Sequence, residues 1–304
     1  MLFPASVLIG AVAIGLFASH ASFLHSTFWV ILAAYFGGCV GSFLNVVAYR
    51  YPIMLKRRWR ADCLEYLELP PEPQGERFNL AFPKSHCPSC ARPVRSRELV
   101  PVVSYAFLGG KCAGCANPIG VRYPLVEMLC AVLTAGAISM FGMTWLAAAV
   151  SLFIWVSVAI ALIDADTYLI PDELSQPLLW SGILLASIGI GPSLANAVAG
   201  AVVGYGFLWT LSTGYKLLRG KEGMGAGDFK YLAACGAFLG WKPLLLVLVF
   251  AGVSGTVVGI ASAMRQKESA IGKAIPFGPH LVAGAILVLL AQAYLPKYFP
   301  FLLI

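Results

Sequence analysis

Residues 144–163 read TWLAAAVSLFIWVSVAIALI, a run of 20 positions without a charge, and the next residue is Asp164. About 20 apolar residues is the length an α-helix needs to cross the hydrocarbon core of a bilayer. The rest of the chain has the same character. It has 304 residues, 59% hydrophobic and 12% charged, with a mean hydropathy of +0.81. Soluble domains carry about 25% charged residues, so this composition belongs to a polytopic membrane protein. A soluble two-domain arrangement would have nowhere to hide the apolar runs.

Comparable runs occupy 27–49, 124–142, 174–191, 194–218, 243–264 and 277–295. Residues 229–240 form a shorter one, read as a short span or a re-entrant piece. Residues 2–19 are apolar too. No Lys or Arg precedes them, so they lack the basic start of a secretory signal and read as an extra helix or an ill-defined start. The expected fold is all-α, with about eight transmembrane helices and room for one more at the N-terminus.

Basic residues set the expected orientation. Twelve of the 21 Lys and Arg lie in 50–123. Lys216, Arg219, Lys221 and Lys230 flank the stretch GMGAGD, and Arg265, Lys267 and Lys273 lie between the last two runs. If the helices alternate, these three regions share one side and only Lys242 and Lys297 face the other. Positive residues accumulate on the cytoplasmic side, so the crowded side is the cytoplasmic one. The net charge of +7 then follows mostly from topology, and nucleic acid is not an expected partner.

Residues 50–123 are the one substantial soluble segment expected. KRRWRADCLEYLEL (56–69) reads as a short amphipathic helix at the membrane surface, ended by the prolines of PPEPQGE (70–76). Two C-x-x-C pairs follow, Cys87 with Cys90 and Cys112 with Cys115, with similar tails ARPV and ANPI. Four thiolates at these spacings close a tetrahedral Zn²⁺ site and leave no position open for water, which marks a structural rather than a catalytic zinc. The competing reading is a pair of disulfides, which a cytoplasmic location disfavours. His86 adjoins Cys87 and is a spare ligand. Cys39, Cys63, Cys130 and Cys235 are scattered and read as packing residues.

Outside that segment stand eight acids: Glu127, Asp164, Asp166, Asp172, Glu173, Glu222, Asp228 and Glu268. An acid within or at the mouth of a span is a functional candidate by default. Asp166, Asp172 and Glu173 read as solvated or capping residues, Asp172 as the cap of the helix after Pro171. Asp164 and Asp228 differ, because both fall at expected cytoplasmic membrane boundaries on different helices. Two carboxylates brought close share a proton, so one acts as general base on a water and the other as general acid toward a carbonyl. That chemistry suits peptide hydrolysis without a covalent intermediate. The glycines of GMGAGD (223–228) would let backbone approach a neighbour closely.

At these residues the sequence resembles the type IV prepilin peptidases, bifunctional leader peptidases and N-methyltransferases of the GxGD intramembrane aspartyl protease type. The likeness runs from about residue 35 to 282. It rests on GSFLNVVAYRYP (41–52), both C-x-x-C pairs, IGVRYPLVE (119–127), LIDADTYLIPDEL (162–174), GKEGMGAGDFK (220–230) and IPFGPHL (275–281). The resemblance implies that Asp164 and Asp228 are the catalytic aspartates. It implies prepilin and pseudopilin substrates, cleaved after a Gly that ends a short basic leader, at the cytoplasmic face of the bacterial inner membrane. It also implies methylation of the new N-terminal residue from S-adenosylmethionine.

No dinucleotide-type glycine turn accompanies that second activity. The expected organisation is an N-terminal membrane segment (1–49), a cytoplasmic zinc-binding loop with the methyltransferase region (50–123) and a transmembrane peptidase domain (124–304). Gly109-Gly110-Lys111 reads either as a cofactor approach or as a turn before the second cysteine pair. Two other functions fit an acid-bearing membrane protein. A secondary transporter would use Asp164 and Asp228 as a proton relay near the bilayer midplane. A Mg²⁺-dependent transferase would need a second acid-rich motif, which GMGAGD does not supply.

Overall fold

The computed structural model describes residues 5–71, 77–266 and 275–294, with side chains placed in 27–71, 77–264 and 275–292. Among the described residues the regular structure is helical. The long helices are α1 (Ala5–Tyr66), α3 (Arg122–Phe141), α4 (Trp145–Thr167), α6 (Leu194–Arg219) and α8 (Leu244–Gln266). Between α1 and α3 lies the short α2 (Val103–Phe107); α5 (Asp172–Ser187) lies between α4 and α6, α7 (Ala226–Leu239) between α6 and α8, and α9 (Gly278–Tyr294) follows α8.

Among the described residues, five segments are long and apolar enough to cross a membrane: Thr27–Tyr66, Arg122–Phe141, Trp145–Thr167, Leu194–Arg219 and Leu244–Met264. Local signals delimit them. The Thr144 hydroxyl accepts the Ala147 amide at the start of α4, and Ser193 does the same for Asn196 at α6. Gly142 and Gly220 end α3 and α6 with positive φ.

The other expected runs form the shorter helices α5, α7 and α9. At 1.5 Å per residue the 14-residue α7 is about 21 Å long, short of the ~30 Å hydrocarbon core. Ten of its 14 residues are nevertheless buried, so α7 is wrapped by its neighbours α5, α6 and α9. An apolar helix surrounded on all sides is a core helix.

Two expectations about α1 change. The surface helix expected at 56–69 is not separate, because α1 runs unbroken to Tyr66 with Pro52 inside it. Pro52 lacks an N–H and costs the helix one hydrogen bond to the carbonyl four residues earlier, a loss a long helix absorbs. The run at 2–19 likewise leads into α1 from Ala5 rather than forming a helix of its own. The 40 residues from Thr27 to Tyr66 span about 60 Å, so one end of α1 projects beyond a bilayer. Of the proline break, residues 72–76 lie outside the described residues, as do Lys267, Glu268, Lys273 and Lys297.

Lipid supplies no hydrophobic force between helices, so they associate by close packing of small residues. A Cβ on Gly200 of α6 or Gly236 of α7 would run into the other glycine's carbonyl, and one on Gly204 would lie 2.6 Å from the Leu232 carbonyl oxygen. Gly41 of α1 sits the same way against Val126 and Glu127 of α3. The loop is anchored to this bundle by two buried polar groups. Arg50 donates to the carbonyls of Asn79 and Pro83, and Glu127 accepts the Val102 amide at 2.7 Å.

Candidate active site and metal centre

Asp164 lies in the last turn of α4. That helix ends because Tyr168 adopts a left-handed conformation and returns its amide to the Asp164 carbonyl at 2.8 Å. Ile170 and Pro171 follow, and α5 begins. Asp228 is the third residue of α7, after the extended Gly225. Gly227 lets this turn approach the 168–171 segment, because a Cβ there would lie 2.8 Å from the Ile170 Cβ. Gly223 similarly leaves room for Tyr215.

Both carboxylates are buried, Asp164 at 5% exposure and Asp228 at 8%. Both line one cavity of about 400 Å³, whose wall also includes Trp59 of α1, Tyr168 and Lys230. Asp164 Oδ2 accepts the Gly278 amide at 2.8 Å. Asp228 Oδ1 is buried with no hydrogen-bond partner among the described residues.

The remaining acids of this region are partnered. Asp166 pairs with Arg122 at 2.7 Å, Asp172 with Lys230 at 2.6 Å, and Glu173 with Arg58 at 3.5 Å. Asp172 is in the first turn of α5 but does not cap it, since Pro171 holds the N-cap position. These partners were not legible in the sequence: Arg122 and Lys230 lie 44 and 58 residues from the acids they meet. The transporter reading expects acids near the bilayer midplane. Asp164 and Asp228 instead sit in the last turn of α4 and the first turn of α7, so that expectation is not met.

The two cysteine pairs form matching knuckles. The Cys87 amide donates to Arg92 O and the Ala91 amide to Cys87 O; in the second pair Cys112 donates to Asn117 O and Ala116 to Cys112 O. Ala91 and Ala116 both take positive φ, and His86 bridges Pro93 as Lys111 bridges Pro118. The repeat in the letters is therefore a repeat in backbone geometry.

The four Sγ atoms lie within 4.8 Å of one another. Sulfurs about 2.3 Å from a central zinc would sit about 3.8 Å apart, and Cys87 and Cys115 are 3.8 Å apart. Backbone amides of Cys90 and Ser89 pull Cys87 toward thiolate, and those of Gly114 and Cys115 pull Cys112 down to about 6. The Asn117 amide acts the same way on Cys115, but burial and the crowd of sulfurs push that thiol up to about 11. A divalent cation at the centre would relieve this crowding of charge, so the donor set fits zinc.

Arg92 is gripped by Glu98 through two hydrogen bonds, the shorter at 2.7 Å, and this holds the Glu98 carboxyl at about 2. His86 is not among the clustered ligand atoms; its Nδ1 lies 3.1 Å from the Lys84 carbonyl. Cys130 and Cys235 are buried in the helical core, whereas Cys63 is exposed. Gly109 and Gly110 both have positive φ, and Gly110 receives the Ile119 amide, so this segment is the turn into the second knuckle.

Comparison with known proteins accounts for both regions. Residues 35–141 match the Bacterial Peptidase A24 N-terminal domain, and residues 151–260 match the Type IV leader peptidase family. A prepilin leader peptidase/N-methyltransferase of Stutzerimonas stutzeri is 44% identical over 90% of this chain and 94% of its own. A protein of the same name from Pseudomonas aeruginosa is 44% identical over 91% and 96%, and one from Aeromonas hydrophila 45% identical over 82% and 87%. No solved structure matches the chain. The aspartate-lined cavity and the four-cysteine knuckles thus fall in the two matched segments, and the chain belongs to the type IV leader peptidase family.

Proposed function

We propose that this chain is a bifunctional prepilin peptidase and N-methyltransferase, with Asp164 and Asp228 as its hydrolytic pair and Cys87, Cys90, Cys112 and Cys115 as ligands of a structural zinc. One observation carries the peptidase reading: two buried carboxylates from separate helices line a single cavity, in a chain whose relatives bear that name. Buried carboxylates that share a site hold one proton between them, and the pair titrates as a unit. The ionised member takes a proton from water as its oxygen attacks the scissile carbonyl, and the protonated member donates to the carbonyl oxygen. Collapse of the tetrahedral intermediate breaks the C–N bond, and the amine leaves with a proton.

Substrates are prepilins and pseudopilins, presented from the bilayer. The methyl donor, of the S-adenosylmethionine type, supplies an electrophilic methyl group to the new amine. We place that activity in the loop of residues 50–123, between a membrane segment of 1–49 and a peptidase domain of 124–304. With the five longer spans, the short helices α5, α7 and α9 make about eight membrane helices, α7 a short one that stops within the hydrocarbon core. The distribution of Lys and Arg supports an inner-membrane protein with loop and cavity facing the cytoplasm. The test is incubation of the purified protein with a prepilin, with and without the methyl donor, read by intact mass. The leader should be lost in both cases and one methyl gained only with the donor. An intact prepilin would overturn the reading.

A further inference from the structure

We infer that the backbone amide of Gly278 is a positioning group for hydrolysis, holding Asp164 Oδ2 so that the other carboxylate oxygen is presented to water. The inference rests on the reading of Asp164 as one of the hydrolytic pair. Gly278 lies 114 residues from Asp164 in the chain, yet its N–H donates to the carboxylate at 2.8 Å in a buried contact.

Three features of the local structure serve that contact. Gly278 opens α9, and amides of a first helical turn have no acceptor within the helix, so this one is free to point at Asp164. The neighbouring Pro279 has no N–H at all, which costs nothing in a first turn and leaves Gly278 as the donor. Asp164 for its part sits in the last turn of α4, where the helix carbonyls disfavour a negative charge. The positive end of α9 opposes that field.

The fit admits only glycine. A Cβ on Gly278 would lie 2.8 Å from Asp164 Oδ2, 3.0 Å from its Cγ and 3.1 Å from its Cβ, so any side chain would displace the carboxylate. The helix start is itself pinned. The Phe277 carbonyl accepts the amides of His280 and Leu281, both at 3.1 Å, and His280 Nδ1 meets Ser254 Oγ of α8 at 3.0 Å. Helix α9 therefore acts as a rigid mount for Asp164.

The cleanest test removes the N–H and adds no atoms. Cell-free synthesis into lipid nanodiscs with glycolic acid at position 278 turns the amide into an ester. A hydrogen bond to a charged group is worth about tenfold to a hundredfold in an equilibrium or rate, so kcat for prepilin cleavage should fall by about that much with KM unchanged. Gly278→Ala is the second variant. It keeps the N–H but crowds Asp164, and it should lower kcat at least about tenfold, again without moving KM.

A packing role alone would leave the ester as active as the native protein, and that result overturns the inference. Should the ester protein not accumulate, Gly278→Ala decides: native kcat, or a loss that appears in KM alone, overturns it. Asp164→Asn is measured alongside. Normal cleavage by Asp164→Asn would remove Asp164 from the mechanism and this inference with it. An inactive Asp164→Asn beside a fully active ester would overturn the positioning role only.

Discussion

The knuckle loop and the helix bearing Asp228 reach order by opposite means. From residue 77 to 121 only Pro101 is buried, so the loop has almost no core. Helix α7 buries ten of its 14 residues. A segment without a core needs a cross-link, and four convergent thiolates provide a site for a metal one. A segment inside a membrane bundle needs close backbone contact instead, and the facing Gly200 and Gly236 provide it. Damage to one region should therefore leave the other standing.

The largest expected effect is chemical. Asp164→Asn and Asp228→Asn should each reduce prepilin cleavage by roughly a thousandfold or more, since general acid–base participation alone is worth 10²–10⁴. Zinc content and thermal stability should not change. Asp166→Asn is the control and should keep most activity, because that carboxylate sits in an exposed ion pair. The comparison is sharpest with Asp228→Asn given already cleaved, unmethylated pilin. Methyl transfer needs a neutral amine in line with the donor and no aspartate-bound water, so a radiolabelled methyl should still be incorporated. Failure of a folded, zinc-replete variant to do so would mean that the two regions share one site.

Next comes the metal. Purified protein should carry close to one zinc per chain, and Cys87→Ser or Cys112→Ser should each remove most of it. Amide exchange should then accelerate across 85–119 and stay slow in α7. Full zinc occupancy after replacement of all four cysteines would sink the assignment. The smallest effect tests the other arm. Gly200→Ala drives a Cβ into the Gly236 carbonyl and should destabilise the bundle by about 2 kcal/mol, as overpacking does. A lower melting temperature with unchanged zinc is the expected result, and loss of zinc would show that the regions are coupled.

Much of this is visible in the letters because the relevant physics is local. Length and hydropathy mark the five long spans, and the C-x-x-C spacing marks the cluster, since both depend on residues a few positions apart. The extent of α1 was not visible. Pro52 and the charged run after it look like boundaries, yet the helix continues through both. The acids were harder still. Asp166, Asp172 and Glu173 resemble Asp164 and Asp228 in type and setting, and what separates them is the presence of Arg122, Lys230 and Arg58.

Composition by itself determined that this chain is built of apolar helices of membrane length, and the C-x-x-C spacing determined which four cysteines converge, because solvation and short-range geometry act residue by residue. Only the tertiary structure decided that Asp164 and Asp228, 64 residues apart, line one cavity, and that the Gly278 amide reaches the first of them. Those facts are distances between helices, and such distances are set by which backbones can touch. Gly227 against Ile170 and Gly200 against Gly236 bring the helices close, and the carboxylates are carried along with them.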